Sequence, residues 1–132
     1  MSSILVVDDE RTIADTLALI LRQSGYCAEA VYSGEEAILY LDQQSPDLVI
    51  SDVVMPGMTG IDLAIRIAEN YSSSEVLLIS GNATTNDLMK QARATGHMFT
   101  LLTKPIHPVD LLRHVASLLP HSPSQNADST AA

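Results

Sequence analysis

Six polar residues of this 132-residue chain sit where short apolar runs end: Asp8, Asp9, Glu10, Asp52, Ser80 and Lys104. Carboxylates brought together repel, and without a compensating cation at least one of them takes up a proton near neutral pH. A divalent ion resolves the conflict. The donors on offer are hard oxygens and no His or Cys lies at these run ends, so Mg²⁺ (or Mn²⁺) is favoured over Zn²⁺. Mg²⁺ usually takes one or two carboxylates and fills its shell with water or phosphate oxygens, so such a site anticipates a phosphoryl ligand.

The remaining groups fit that ligand. Lys104 supplies a point positive charge and Ser80 a hydroxyl donor for phosphoryl oxygens. A carboxylate can itself attack phosphorus to give an acyl phosphate. Asp52, alone at its run end, is the natural nucleophile, which leaves Asp8 and Asp9 for the metal. Each piece also has a plainer reading. An acidic triplet before a helix complements the helix dipole, Asp52 alone reads equally as a loop cap, and Lys-Pro alone reads as a solvated turn.

These residues need elements that carry them to one place. Ile4 to Val7, the run beginning at Leu48 that ends in the Asp52 carboxylate, and Val76 to Ile79 are short apolar stretches of the kind buried on both faces of a parallel sheet. A weaker strand is expected at Cys27 to Tyr32 and a fifth at Met98 to Thr103. Between them, apolar residues recur three and four apart. Helices are expected from Arg11 to Ser24 (Ile13, Leu17, Ile20, Leu21 inward), with Gly25 as the stop, and from a Ser33–Glu36 capping box to about Gln43 (Ala37, Ile38, Leu41). Others are expected over about Ile61 to Asn70 (Ile61, Leu63 or Ala64, Ile65, Ala68) and Thr84 to Thr95 (Leu88, Met89, Ala92). The last begins at Pro108, with Val109, Leu112, Val115, Ala116 and Leu119 inward.

Five strands alternating with five helices describe an α/β, doubly wound five-stranded parallel sheet. Loops at the carboxyl ends of its strands converge where strand order reverses, which gathers Asp8, Asp9, Asp52, Ser80 and Lys104. One domain is expected over residues 1–119, and 120–132 reads as a disordered tail or the start of a linker.

Composition narrows the function classes. Apolar residues make up 46% of the chain and aromatics only 4%, so the core is built from Leu, Ile, Val and Ala. Sixteen acidic against seven basic residues give a net charge of -9, which disfavours direct nucleic-acid binding. No apolar run reaches the ~18 residues a membrane span needs, and the start lacks a signal-peptide pattern. A cytoplasmic protein without membrane contact is expected. The single cysteine, Cys27, is expected to be buried.

The chain resembles the receiver domain of bacterial two-component response regulators. The likeness rests on Ile4-Leu5-Val6-Val7-Asp8-Asp9-Glu10, the Asp52-Val53-Val54-Met55-Pro56-Gly57-Met58-Thr59-Gly60 stretch, Ser80-Gly81 and Thr103-Lys104-Pro105, and runs from about Ser3 to Leu119. It implies a flavodoxin-like sheet of order 2-1-3-4-5 and phosphotransfer to Asp52 from a sensor histidine kinase or histidine phosphotransfer protein. It further implies Mg²⁺ held at Asp52 by Asp8, Asp9 and the Val54 carbonyl, a Ser80 that moves toward the phosphoryl group, a Lys104 that pairs with it, and a cis bond before Pro105. The phosphorylated state would control a downstream effector through the helix over 84–95, the fifth strand and the last helix. Lys90, Arg93, Asp110 and Arg113 are candidates there for a weak dimer contact.

The resemblance has two departures. Leu101 stands where the family carries Tyr or Phe, and the segment from Gly96 to Lys104 is one residue longer than usual. Phe99 shares strand parity with Leu101 and is a candidate for part of the aromatic's role. Two other functions compete. A small Mg²⁺-dependent phosphatase of the haloacid-dehalogenase type also uses a strand-end Asp, but its second Asp lies two residues after the first, whereas Asp8 and Asp9 are adjacent. A degenerate receiver would serve only as a binding module, against which the complete set Asp8, Asp9, Asp52 and Lys104 stands.

Overall fold

The computed structural model describes residues 2–81, 90, 93–94, 96 and 99–119. Its strands are β1 (Ser3–Val7), β2 (Cys27–Val31), β3 (Leu48–Asp52), β4 (Glu75–Ser80) and β5 (Thr100–Thr103). Its helices are α1 (Arg11–Gln23), α2 (Gly34–Leu41), α3 (Gly60–Asn70) and α4 (Pro108–Leu118). The strands form one parallel sheet in the order β2-β1-β3-β4-β5, the expected topology, with the reversal between β1 and β3. Most of the helix predicted over 84–95, and the whole predicted tail, lie outside the described residues.

Alternation along the strands sends side chains to two helical layers. Ile4, Val6, Leu48, Ile50, Leu77 and Ile79 pack against Ala14, Leu17, Ala18 and Leu21 of α1 and Leu111 and Val115 of α4. Leu5, Val7 and Val49 face Ala37 and Leu41 of α2 and Leu63 and Ile67 of α3. Truncating a residue such as the fully buried Ile50 to Ala costs about 2–5 kcal/mol in a core packed this way.

Local signals account for several boundaries. Gly25 adopts φ 99°, its N–H donates to Arg22 O and that of Tyr26 to Leu21 O, a Schellman stop for α1. Ser33 Oγ accepts from Glu36 N–H at 3.0 Å as expected of its capping box. The Glu36 carboxylate instead accepts from Tyr32 N–H, one residue further out. Thr59 and Asp62 form a complete capping box at the start of α3, with Asp in place of the usual Glu or Gln.

Several burial expectations need correction. In α3 the inward residue is Ile67, with Ala68 exposed and Ile65 only half-buried. In α4 the stripe is Leu111, Val115 and Leu119, while Val109 and Ala116 are exposed. Both helices are short and carry apolar residues at adjacent phases. The sheet selects the phase with the larger side chain, Ile over Ala and Leu over Val, because it buries more area. In α1 and α2, Ile13, Ile20 and Ile38 flank the core half-buried, and Ala14 and Ala18 lie closer to the sheet. Cys27 is exposed, since it opens an edge strand where no helix covers its side chain fully.

Candidate functional site

The site grows out of the strand ends around the reversal. Val7 stands in register with Ser51, so β1 and β3 run out side by side and release Asp8 and Asp52 at one level. Asp52 stands beside Ile79 and Ser80 beside Thr103, which carries the same rim across β4 and β5 to Lys104. The Lys104 N–H donates to Ser80 O at 2.9 Å, and the Lys104–Pro105 peptide is cis, as the resemblance implied. Gly81 allows this approach, because a Cβ there would lie 3.3 Å from Lys104 Cβ.

Carboxylate oxygens of Asp8, Asp9 and Asp52 lie within 4.8 Å of one another. Lys104 Nζ donates to Asp52 Oδ2 at 3.4 Å and lies 3.9 Å from Asp8 Oδ2. The Asp8 and Asp52 residues are 2% and 7% exposed, whereas Asp9 lies open at the rim. A cleft of about 330 Å³ lined by Asp9, Glu10, Asp52, Val54, Gly81 and Lys104 leads to them. Every expected site residue is therefore at one end of the sheet, with Ser80 buried at the β4 end.

Burial and crowding leave their mark on the acids. Desolvation pushes the Asp8 carboxyl up from 3.8 to about 6, against the pull of the Glu10 N–H that donates to Oδ1 at 3.0 Å and of the Lys104 ammonium. Neighbouring Asp52 and Asp9 charges push it the same way as burial. Asp52 is likewise raised, chiefly by desolvation, with Lys104 and the Val54 N–H opposing. Three carboxylates facing one ammonium form a set of hard oxygen donors with unbalanced negative charge, suited to a divalent metal ion.

Two contributors were not singled out from sequence. Gly60, the first residue of α3, lies so close to the Asp52 backbone that a Cβ would stand 2.1 Å from Asp52 O. A glycine directly after a threonine cap was the available signal. Ser51, buried at the end of the apolar run of β3, donates from Oγ to Asp52 O at 3.0 Å.

The other candidates have definite places. Leu101 stands in register with Leu78, and both Leu101 and Phe99 pack on Val53, Ile61, Ala64 and Leu78. Phe99 also lines a hollow with Ser74, Glu75 and Val76, where β4 begins. It is four residues short of the Thr103 level, about 13 Å along a strand, and so does not stand beside Ser80. Asp110 and Arg113 pair with each other at 3.3 Å, and Lys90 and Arg93 are exposed. No helix among the described residues is long and apolar enough to cross a membrane.

Comparison with known proteins agrees with this geometry. The family model for the response regulator receiver domain matches residues 4–116. Among curated proteins, the regulatory protein VanR of Enterococcus faecium is 31% identical over 116 residues, covering 88% of this chain and 49% of VanR. The DNA-binding response regulator MtrA of Mycolicibacterium smegmatis is 28% identical over 125 residues, covering 95% of this chain and 54% of MtrA. The chain thus spans about half the length of these relatives. Among solved structures, chemotaxis protein CheY4 of Vibrio cholerae superposes with a TM-score of 0.78 at 30% identity, covering 90% of this chain and 99% of CheY4. Response regulator TrrA of Thermotoga maritima, solved with Mg²⁺-BeF, gives 0.78 at 31% identity and covers 90% of this chain and 100% of its own. With its sheet order, its strand-end acids and these relatives in agreement, the chain belongs to the receiver domain family of two-component response regulators.

Proposed function

We propose that residues 1–119 are a phosphoacceptor switch in which Asp52 receives a phosphoryl group from the phosphohistidine of a sensor kinase or histidine phosphotransfer protein. The observation that carries this reading is the meeting of Asp8, Asp9 and Asp52 within 4.8 Å, with Lys104 Nζ 3.4 Å from Asp52. A carboxylate oxygen of Asp52 bonds to phosphorus as the P–N bond breaks, and the imidazole leaves with the electron pair. Lys104 and Ser80 then take the added phosphoryl oxygens. Hydrolysis reverses the state when water attacks phosphorus and Asp52 departs as carboxylate.

Asp8, Asp9 and the Val54 carbonyl, beside Asp52, would hold Mg²⁺ (or Mn²⁺), a fit supported by a donor set made only of hard oxygens. When bound, the ion neutralises charge on the transferring group. In this sense the domain assists its own phosphorylation and dephosphorylation without being an enzyme toward another substrate. The donor's approach is favoured along an apolar groove of about 550 Å³ beside Lys104, lined by Ile13, Leu17, Pro105 and Ile106.

Phosphorylation replaces one negative charge by about two and adds acceptor oxygens. Drawing Lys104 and Ser80 inward re-sets β5 and the chain before it. The surface of β5, α4 and the stretch holding Lys90 and Arg93 passes the change to an effector in the cytoplasm. With Leu101 at the family's aromatic position, that change runs through the packing of Leu101 and Phe99 on Leu78 and Val53.

Intact mass after incubation with acetyl phosphate and Mg²⁺ tests the reading. One phosphoryl group is expected on the wild-type chain and none on Asp52→Asn. Unchanged labelling of that variant would refute the assignment. Turnover of a generic phosphate ester would favour the phosphatase, and absence of both would leave a binding module.

A further inference from the structure

We infer that Ser51 is a positioning residue for the phosphoacceptor, its hydroxyl fixing the peptide that joins Asp52 to Val53. The inference deepens the proposed role of Asp52 and rests on it. Ser51 is 1% exposed and shares strand parity with Val49, whose side is filled by Leu5, Val7, Met55, Leu63 and Ile67. A hydroxyl buried in such a place costs free energy unless it is bonded, and an aliphatic residue would satisfy the sheet's alternation. Its bond goes to the carbonyl of Asp52, at 3.0 Å.

That carbonyl is held from a second side. Gly60 lies against it without room for a Cβ, and the Gly60 N–H donates to Val53 O at 2.8 Å. The Val53 N–H donates to Ile79 O at 2.9 Å, tying the next peptide to β4. The backbone from Asp52 to Val54 is thus fixed by a hydroxyl, a helix start and a strand. Two groups depend on its orientation: the Val54 N–H, which draws the Asp52 carboxyl down in pKa, and the Val54 carbonyl, a proposed metal ligand. Rotation of the Asp52–Val53 peptide would misaim both, and the Ser51 hydroxyl opposes that rotation.

The test compares Ser51→Ala, Ser51→Thr and Ser51→Cys in the full chain. Phosphorylation by acetyl phosphate at saturating Mg²⁺ is followed together with thermal unfolding and the ¹⁵N amide shift of Val54. Ser51→Ala should react about tenfold more slowly, the worth of one hydrogen bond, and displace the Val54 amide, with the modest loss of melting temperature that any buried carbonyl losing its donor brings. Ser51→Thr, which keeps the hydroxyl, should restore rate and shift, and Ser51→Cys, a weak donor of similar size, should fall between. A wild-type rate and amide shift in Ser51→Ala would overturn the inference, as would equal losses in Ala, Thr and Cys. The Val54 shift is read in the unphosphorylated chain. It therefore decides the positioning role even if acetyl phosphate leaves the wild type unlabelled, the outcome that would instead overturn the function.

Discussion

The two ends of the sheet use the same kinds of polar residue to opposite effect. Where the strands begin, polar groups are spent on one another. The Ser3 N–H donates to Asp47 Oδ2 at 2.9 Å, Asp47 N–H returns a bond to Ser3 O, and the Glu75 N–H reaches Asp47 O. Ser74 Oγ donates to Pro46 O at 2.6 Å, and Tyr71 Oη donates to Asp42 Oδ1 across α3 and α2. Where the strands finish, Asp8, Asp9 and Asp52 crowd together beside the Lys104 ammonium, and burial pushes the carboxyls of Asp8 and Asp52 up in pKa. One end satisfies its polar groups internally, and the other concentrates negative charge against a single ammonium.

The contrast can be broken at either end. The largest effect is expected from Gly60→Ala, because the new Cβ would meet backbone that cannot swing aside. It should cost about 3 kcal/mol or more by overpacking, read by urea unfolding, and should slow phosphorylation as well. A fully stable Gly60→Ala would mean that the start of α3 does not constrain Asp52.

Next comes Asp8, for which the sign is unusual. Its folded pKa lies above the unfolded value, so between about pH 4 and 6 the folded chain binds more protons and stability falls as pH rises. Above that window the penalty is complete, on the order of 2–3 kcal/mol. Asp8→Asn should therefore melt higher than wild type at pH 7.5, the gain should shrink toward pH 4, and Mg²⁺ should narrow the gap by stabilising the wild type alone. A variant that melts lower at pH 7.5 would show that the carboxylate supports the fold.

The opposite sign is expected at the other end. Ser74→Ala removes the donor to a buried carbonyl and should destabilise by about 1–2 kcal/mol at every pH. Its phosphorylation rate should stay at the wild-type level. A loss of phosphorylation comparable to the loss of stability would join the two ends into one functional unit.

Much of this was legible in the chain itself. Short β-branched runs such as Ile4 to Val7 and Leu48 to Ile50, bounded by turn signals, fit a strand buried on both faces, and an acid at such a strand's carboxyl end falls on the rim where the loops converge. Asp8, Asp9, Asp52 and Lys104 consequently come close together, with Ser80 at the same end of the neighbouring strand. Helix phase was less legible. Ile67 and Ala68, or Leu111 and Leu112, satisfy the same short period, and only contact with the sheet chooses between them. Ser51 and Gly60 escaped for another reason: their importance lies in backbone atoms of Asp52, which leave no trace in hydropathy.

The most direct measurement is a Mg²⁺ titration followed by ¹H–¹⁵N spectra. Saturable shifts confined to the amides of Asp9, Glu10, Val53, Val54 and Lys104, and abolished in Asp8→Asn, are the expected result. Shifts that spread over acidic residues elsewhere, or that persist unchanged in Asp8→Asn, would contradict a metal site at the carboxyl ends of β1 and β3.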